Sequence, residues 1–270
     1  MNRSFVYSVF VIASFAMFVS GCKRDAGGAG EEVPAVSPKA SAKQQAGTDA
    51  AFRETLPVHD PAHPPIDCPL RRQGIDPNHL SPFEETEKYI AFLEREDRAA
   101  WQKPDEVVEA LKFSGDETVV DIGAGSGYFS FRFAKALPRG AVVSGDVEPE
   151  MVRHLHHKAM MDNVKNLDAR VINPDDPAVP KNVDLVFICD VLHHVSDRPA
   201  WLRKIAGAMP RGARLALLEF KEGNLPEGPP ESMKIPRSDL IRLVTDTGLS
   251  LTESHDDLLP YQTFLVFTKP

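Results

Sequence analysis

Short apolar runs alternate with amphipathic helical segments over residues 118–268, and this alternation constrains the fold more than any other feature of the chain. The runs at 183–189 and 215–218 are almost continuous in apolar residues. Strands that helices cover on both faces of a parallel sheet have this composition. Because strand, helix and strand follow one another repeatedly, the chain is predicted to form a doubly wound α/β sheet.

The pattern places six strands and six helices along the chain. The helices are predicted from apolar residues at helical spacing and from Pro near a first turn. The predicted strands are 118–123, 141–147, 168–172, 183–191, 213–220 and 261–268. The predicted helices are 82–101, 103–113, 126–137, 149–160, 198–209 and 237–248.

The stretch DIGAGSGYF (121–129) is a glycine-rich loop between the first predicted strand and the helix that follows it. Glycines there let the backbone approach a ligand closely at a helix N-terminus. Tyr128 stands where a dinucleotide fingerprint has its third glycine, and Asp146 ends the next strand. From that position, roughly 20 residues past the loop, a carboxylate reaches ribose hydroxyls. The loop predicts a ligand with a ribose but no pyrophosphate; a helix cap is the alternative role for Asp146.

Four stretches in this order resemble the motifs of the class I S-adenosylmethionine-dependent methyltransferases. They are VVDIGAGSGYF (119–129), GDVEPEM (145–151), VDLVFICDVLHHV (183–195) and LLPYQTFLVFT (258–268). The resemblance covers about residues 85–270. It implies a Rossmann-like, mostly parallel seven-stranded sheet with helices on both faces in a single domain, and S-adenosyl-L-methionine as the cofactor.

The resemblance also implies a role for each matching position. Glycines of the loop would line the methionine and ribose, while Asp121 would organise the loop and the cofactor's amino end. Asp146 would bind the ribose hydroxyls, and Val147 would pack on the adenine. Asp190 would face the methionine side or the incoming nucleophile. The implied cofactor-binding residues are Asp121, Gly123, Ala124, Gly125, Gly127, Asp146, Val147, Asp190 and, toward the adenine amino group, Asp175 or Asp176.

Methyl transfer from such a cofactor proceeds by in-line displacement once the acceptor is positioned and water is excluded. If a base is needed, His193 and His194 are the candidates, because they follow the carboxyl end of the fourth strand. The alternative is that one of them caps the segment or bonds a carbonyl. Trp101 and Gln102 resemble a lid that precedes the first motif, although Trp101 also suits core packing.

The acceptor is expected to be a small molecule, with residues 221–240 as one wall of its site. Within that stretch, Lys234 and Arg237 suit either an acidic group of the acceptor or a solvated surface. The net charge of −8 disfavours binding to nucleic acid, which needs a concentrated positive surface. Oligomeric state is left open.

The N-terminal stretch has the layout of an export signal, with Arg3 before an apolar run that ends at Cys22. Its ending, VSGC, resembles a bacterial lipobox, in which cleavage precedes a lipidated Cys22. The run is short for a bilayer-spanning helix, which needs roughly 20 apolar residues. Residues 1–22 are therefore predicted to be a lipoprotein signal, with an uncleaved anchor facing the cytosol as the alternative.

Two further segments separate this signal from the predicted domain at 85–270. Residues 23–51 lack large apolar residues and are predicted to be a disordered tether, whereas residues 52–84 are Pro-rich and are predicted to form a strap on the domain. The spacing of His59, His63 and Cys68 matches no zinc template, so no metal site is expected. With Cys22 processed, two cysteines remain and no structural disulfide is expected.

The export signal and the predicted cofactor conflict, because a lipoprotein outside the inner membrane has no obvious supply of S-adenosylmethionine. Two functions therefore stay open. One is methyl transfer by an enzyme, and the other is a non-catalytic, lipid-anchored module that binds S-adenosylmethionine or a nucleoside. The glycine loop and Asp146 carry no disruptive substitution, which favours a retained cofactor site.

Overall fold

A computed structural model describes residues 68–76, 80 and 83–270 of the chain. The predicted signal with Cys22, the tether at 23–51 and most of the predicted strap lie outside these residues. In the described part, one sheet has the strand order β3-β2-β1-β4-β5-β7-β6. The first five strands are parallel, and β7 is antiparallel to both of its neighbours. The predicted fold class, a mostly parallel seven-stranded α/β sheet, is confirmed.

The elements have the following bounds. The strands are β1 (Thr118–Ile122), β2 (Ala141–Asp146), β3 (Leu167–Val171), β4 (Leu185–Cys189), β5 (Arg214–Phe220), β6 (Ser250–Ser254) and β7 (Gln262–Thr268). The helices are α1 (Pro69–Arg72), α2 (Phe83–Leu93), α3 (Arg98–Gln102), α4 (Pro104–Ala110), α5 (Ser130–Ala136), α6 (Pro149–Met161), α7 (Arg198–Ala208) and α8 (Arg237–Thr245). Short 3₁₀ turns lie at Leu192–His194 and Glu231–Met233.

Helices cover both faces of the sheet, as the apolar strands require. Adjacent residues of a strand point to opposite faces, and in β4 both faces are buried. Ile188 packs with Leu217 of β5 and with α7 and α8, whereas Phe187 packs with Phe133 of α5 and Phe264 of β7. The near-continuous apolar runs follow from this double burial.

The structure differs from the prediction at three elements. Strand β6 was missed because it is a mostly exposed, polar edge strand, so it lacks an apolar signature. The helix predicted over 82–101 is interrupted between α2 and α3. The helix predicted to start at 126 begins at Ser130, because the preceding residues form the turns of the glycine loop.

Residues 68–76, which precede the sheet in the chain, cover the edge of the sheet at β3. The side chain of Gln73 donates to Val171 O at 2.8 Å and accepts from Val171 N at 3.0 Å. The amide thus pairs with the backbone at the end of edge strand β3. Cys68 and Leu70 are buried against Val152 and Leu155 of α6.

Within the described ranges, no helix combines the length and apolar composition that crossing a bilayer requires. The same residues contain no group of three or more His, Cys, Asp or Glu side chains arranged to hold a metal ion.

Candidate functional site

The strand order reverses between β1 and β4, so a crevice is expected beyond their carboxyl ends. The glycine loop leaves β1 at this point. The amides of Gly123 and Ala124 both donate to Gly145 O, at 2.8 and 3.0 Å. The amide of Gly125 donates to Asp146 Oδ2 at 2.8 Å. The loop is therefore fastened to the end of β2 by three backbone donors.

The glycines of this loop are required by close packing inside the protein. A Cβ on Gly123 would lie 2.3 Å from Cγ2 of Val191, which follows β4. Gly125 has φ +55°, and a Cβ there would lie 3.3 Å from Leu93 at the end of α2. The loop is thus held between β4 and α2, and contact of its glycines with a cofactor stays a prediction.

Asp146 is almost completely buried at the end of β2, and both of its carboxylate oxygens are hydrogen-bonded. Oδ2 accepts from Gly125 N, and Oδ1 accepts from Glu148 N at 2.9 Å. Burial raises the pKa of Asp146, while these backbone donors lower it. Asp146 therefore ties the loop to the start of α6, and beside it the apolar side chain of Val147 is 43% exposed. Ribose binding by Asp146 and adenine packing on Val147 stay predictions.

Asp121 lies beneath the loop and is also buried. Its Oδ2 accepts from the Ser130 hydroxyl, and its pKa is raised to about 7 by burial and by the charge of Asp146. Close by, the Ser126 hydroxyl is buried and has no hydrogen-bond partner among the described residues. A buried hydroxyl costs free energy unless it is bonded, so Ser126 is a candidate for contact with a ligand.

Tyr128 stands where a dinucleotide-binding loop has its third glycine, and two guanidinium groups stack on its ring. The Arg98 and Arg132 guanidiniums lie 4.0 and 4.3 Å from its ring centroid. Cation–π contacts of this kind stabilise by about 0.5–2 kcal/mol each. Tyr128 therefore binds the loop to α3, the helix that carries Arg98.

His193 is buried and paired with a buried carboxylate. Its Nδ1 lies 2.7 Å from Glu219 Oε2, and its backbone amide donates to Oε1 at 3.1 Å. Burial lowers the pKa of His193, but the hydrogen bond and charge of Glu219 outweigh it, so the pKa is raised. With Nδ1–H donating to Glu219, Nε2 carries the lone pair of the neutral ring.

His194 differs from its neighbour, although the ring centroids are only 4.1 Å apart. Burial and the adjacent charge of His193 lower its pKa. In the described part of the chain, no carboxylate holds the His194 ring as Glu219 holds His193. The structure thus distinguishes two histidines that the sequence leaves equivalent, because only His193 is paired with a carboxylate and their pKa values shift in opposite directions.

Asp190 directly follows β4 and has a left-handed backbone, with φ +59°. Gln262 Nε2 lies 2.7 Å from both carboxylate oxygens, and Gln102 Nε2 lies 3.3 Å from Oδ2. Burial and the charge of Glu219 raise the pKa of Asp190 to about 6, while the bond from Gln262 lowers it. Gln102, from the predicted lid, therefore reaches the end of β4. Trp101 shows the predicted alternative, core packing, with its ring 5.7 Å from that of Phe220.

The other predicted site residues have local partners. Asp175 and Asp176 are exposed in a turn, where their backbone amides donate to Asn173 Oδ1 and Asn173 O. Lys204 Nζ donates to Asp175 O. Their role toward adenine stays a prediction. Lys234 donates to Gly223 O and Glu231, and Arg237 pairs with Asp256.

Sequence reasoning missed Glu219, Gln262 and Arg98. Glu219 had a detectable signal, since it is a charged residue that directly follows the apolar run 215–218, close to the carboxyl end of β5. Gln262 and Arg98 had none, because their roles depend on contacts between distant segments.

Comparison with known proteins agrees with this geometry. Residues 120–215 match a family described as "Methyltransferase domain". Uncharacterized methyltransferases of Mycobacterium bovis and Mycobacterium tuberculosis are 25% identical over 124 residues, which is 46% of this chain and 61% of theirs. The alignment thus spans about three fifths of these curated relatives.

Solved structures share the fold. A SAM-dependent methyltransferase from Aquifex aeolicus superposes with a TM-score of 0.63 at 20% identity, covering 70% of this chain and all of the other. Magnesium protoporphyrin IX methyltransferase from Synechocystis, with bound SAH, gives 0.55 at 20% identity, covering 69% and 94%. Residues 120–215 are thus similar to a family of methyltransferase domains, and the described sheet shares the fold of the two solved methyltransferases. In this fold the carboxyl ends of β1, β2, β4 and β5 form the candidate site.

The substitution Glu219→Gln is expected to lower the pKa of His193, because it removes the carboxylate that stabilises the imidazolium. NMR titration of the histidine rings measures this pKa. His154 on α6, which faces Glu94, should titrate unchanged and is the internal control. An unchanged pKa of His193 would contradict the pairing.

The same pair links stability to pH. Because folding raises the pKa of His193 above 6.5, its stabilising effect is complete below pH 6.5 and is lost as pH rises through the folded-state pKa. Glu219→Gln should therefore weaken the pH dependence of the unfolding free energy across this window.

Proposed function

We propose that this protein transfers a methyl group from S-adenosyl-L-methionine to a small-molecule acceptor at the carboxyl edge of its sheet. The observation that carries this proposal is the buried His193–Glu219 pair just beyond β4. Val191, two residues before His193, packs against Gly123 of the glycine loop. This contact supports a role for His193 as a base beside the loop that would hold the cofactor.

The residues of the site fit the cofactor. Asp146 and Val147 would hold its nucleoside, Asp190 would meet its amino-acid end, and the unpartnered Ser126 hydroxyl offers a polar contact. Carboxylates at adjacent strand ends favour a positively charged ligand. When bound, the cofactor supplies an electrophilic methyl group on a sulfonium.

His193 performs the proton transfer in this proposal. Its Nε2 would accept the proton of an acceptor hydroxyl as the acceptor oxygen takes the methyl group that the cofactor would supply, and the cofactor would leave as its demethylated product. Glu219 stabilises the imidazolium and keeps Nδ1 protonated. Activity should rise as pH passes above the raised pKa of His193, because only the neutral ring accepts a proton.

The alternative is a non-catalytic module that binds the cofactor or a nucleoside. Such a module needs the glycine loop and Asp146 but has no use for a buried His193–Glu219 pair. Burying an ionisable pair costs free energy unless its partners are well placed, and here both Glu219 oxygens are bonded to His193. This pairing favours methyl transfer.

Calorimetric titration tests the cofactor. Wild-type protein is expected to bind S-adenosylmethionine and S-adenosylhomocysteine but not NAD. Asp146→Ala should weaken binding at least about tenfold, or about 1.4 kcal/mol, because it removes the carboxylate at the ribose position and loosens Gly125.

Asp184→Ala is the matched control for that experiment. Asp184 also accepts a hydrogen bond from a backbone amide, Thr118 N at 2.7 Å. It lies just before β4, at the amino ends of the strands and away from the candidate site. Equal affinities of the Asp146→Ala and wild-type proteins would reject the ribose assignment.

Transfer of labelled methyl groups to a panel of phenols, carboxylic acids, thiols and amines tests the reaction. His193→Ala should lower kcat by about 10²–10⁴-fold for any hydroxyl acceptor found, whereas His255→Ala, on the loop before β7, should leave it unchanged. Cofactor binding without transfer to any of these acceptors would favour the non-catalytic module.

We also propose membrane attachment through a lipid on Cys22, supported by the lipobox-like ending of the apolar run. Labelled palmitate should enter the wild-type protein in a bacterial host and be absent from Cys22→Ala. Equal labelling of the two proteins would reject the lipid anchor. An unlabelled wild type that fractionates with membranes would instead favour the uncleaved anchor.

A further inference from the structure

Four side chains form a continuous hydrogen-bonded chain from the predicted lid to the end of β4. Arg98 Nε donates to Gln102 Oε1. Gln102 Nε2 donates to Gln262 Oε1 at 3.1 Å, and Gln262 Nε2 donates to the carboxylate of Asp190 at 2.7 Å. We call this chain the Arg98–Asp190 relay.

The relay has one internally consistent direction. Arg98 can only donate, and an ionised carboxylate can only accept. Each amide therefore presents its oxygen toward Arg98 and its nitrogen toward Asp190. Reversing Gln102 would place its NH₂ against the guanidinium, and reversing Gln262 would place its oxygen against the carboxylate. The charges at the two ends thus orient both amides.

Burial makes the contacts of the relay costly to lose. The side chains of Gln102 and Gln262 are completely buried. A buried donor or acceptor left without its partner costs about 1–3 kcal/mol, and more when the partner is charged. The two amides come from α3 and β7, so the relay connects segments that are distant in sequence.

Asp190 needs these donors more than an exposed carboxylate would. Its backbone is left-handed, a conformation that costs a non-glycine residue free energy. The ionisable groups that face it are Glu219 of β5, Cys189 of β4, His193 of the 3₁₀ turn and Arg98 of α3. Glu219 disfavours its negative charge, whereas Gln262, Arg98 and His193 favour it.

We propose that Gln102 and Gln262 are positioning residues that hold Asp190 ionised and oriented for the amino-acid end of the cofactor. The inference rests on the proposed function, in which Asp190 meets the cofactor at that end. A consequence is that α3 must be docked on the sheet for the cofactor site to be complete, because Gln102 belongs to α3.

Calorimetric titration with S-adenosylhomocysteine between pH 5 and pH 8 tests the proposal. Loss of a donor should raise the pKa of Asp190, since the ionised form loses a bond. Gln262→Leu and Gln102→Leu are therefore expected to move the acid limb of the affinity profile up by about one pH unit, so that binding weakens about tenfold at pH 5 but only about twofold at pH 7. The wild-type limb should lie near pH 6.

Variants that preserve shape separate positioning from packing. Gln262→Glu and Gln102→Glu are nearly isosteric, yet each replaces the NH₂ donor by an acceptor, so both should shift the profile in the same direction. They also keep the proposal testable if a Leu variant does not fold. Asn166→Leu is the matched control: its amide donates to Ala134 O and Leu137 O at the amino edge of the sheet. It should lower thermal stability but leave the pH profile unchanged.

The outcomes distinguish the two proposals. Wild-type protein that fails to bind S-adenosylhomocysteine would overturn both the cofactor and the positioning role. Wild-type binding with unchanged affinity and pH profile in the Gln102 and Gln262 variants would overturn the positioning role alone. A loss of affinity in those variants at all pH values, without a shift of the acid limb, would assign them to packing and also overturn it.

Discussion

Four adjacent strands of one parallel sheet each carry a carboxylate at or near the carboxyl end, and every one of these groups needs its own hydrogen-bond donor. In spatial order they are Asp146, Asp121, Asp190 and Glu219, on or just after β2, β1, β4 and β5. Carboxylates so close together repel one another, and burial adds to the cost of their charge. The donors that offset this cost are the loop amides, Ser130, the glutamine amides and His193.

This requirement explains much of the surrounding structure. The glycine loop turns so that Gly125 N meets Asp146, and α5 begins at Ser130, whose hydroxyl meets Asp121. Helix α3 places Gln102 beside Asp190. A row of negative groups at the candidate site also suits a sulfonium cofactor, because a bound cation reduces their mutual repulsion. The row of carboxylates therefore accounts for the turn of the loop, the positions of α3 and α5, and the preference for a positively charged ligand.

Helix α3 connects the two halves of the site. Arg98 stacks on Tyr128 of the glycine loop and donates to Gln102, which reaches Asp190. Nearby, Arg95 pairs with Glu227 of the segment between β5 and α8, which is the predicted acceptor wall. A displacement of α3 would therefore change contacts to the glycine loop and to Asp190 together. The contact with Arg98 explains why the loop has Tyr128 where the dinucleotide fingerprint has a glycine.

The sequence by itself determined the fold class, because double burial of parallel strands leaves near-continuous apolar runs, and here these runs alternate with helical segments. It also located the loop of Gly123–Gly127 and Asp146, whose spacing is set by one strand–helix–strand unit. It could not determine strand β6, which is polar and exposed, or distinguish His193 from His194. Only the tertiary structure paired His193 with Glu219 and assembled Arg98, Gln102, Gln262 and Asp190. Those contacts join residues up to 160 positions apart, and local residue patterns carry no record of which distant side chains meet at the edge of a sheet.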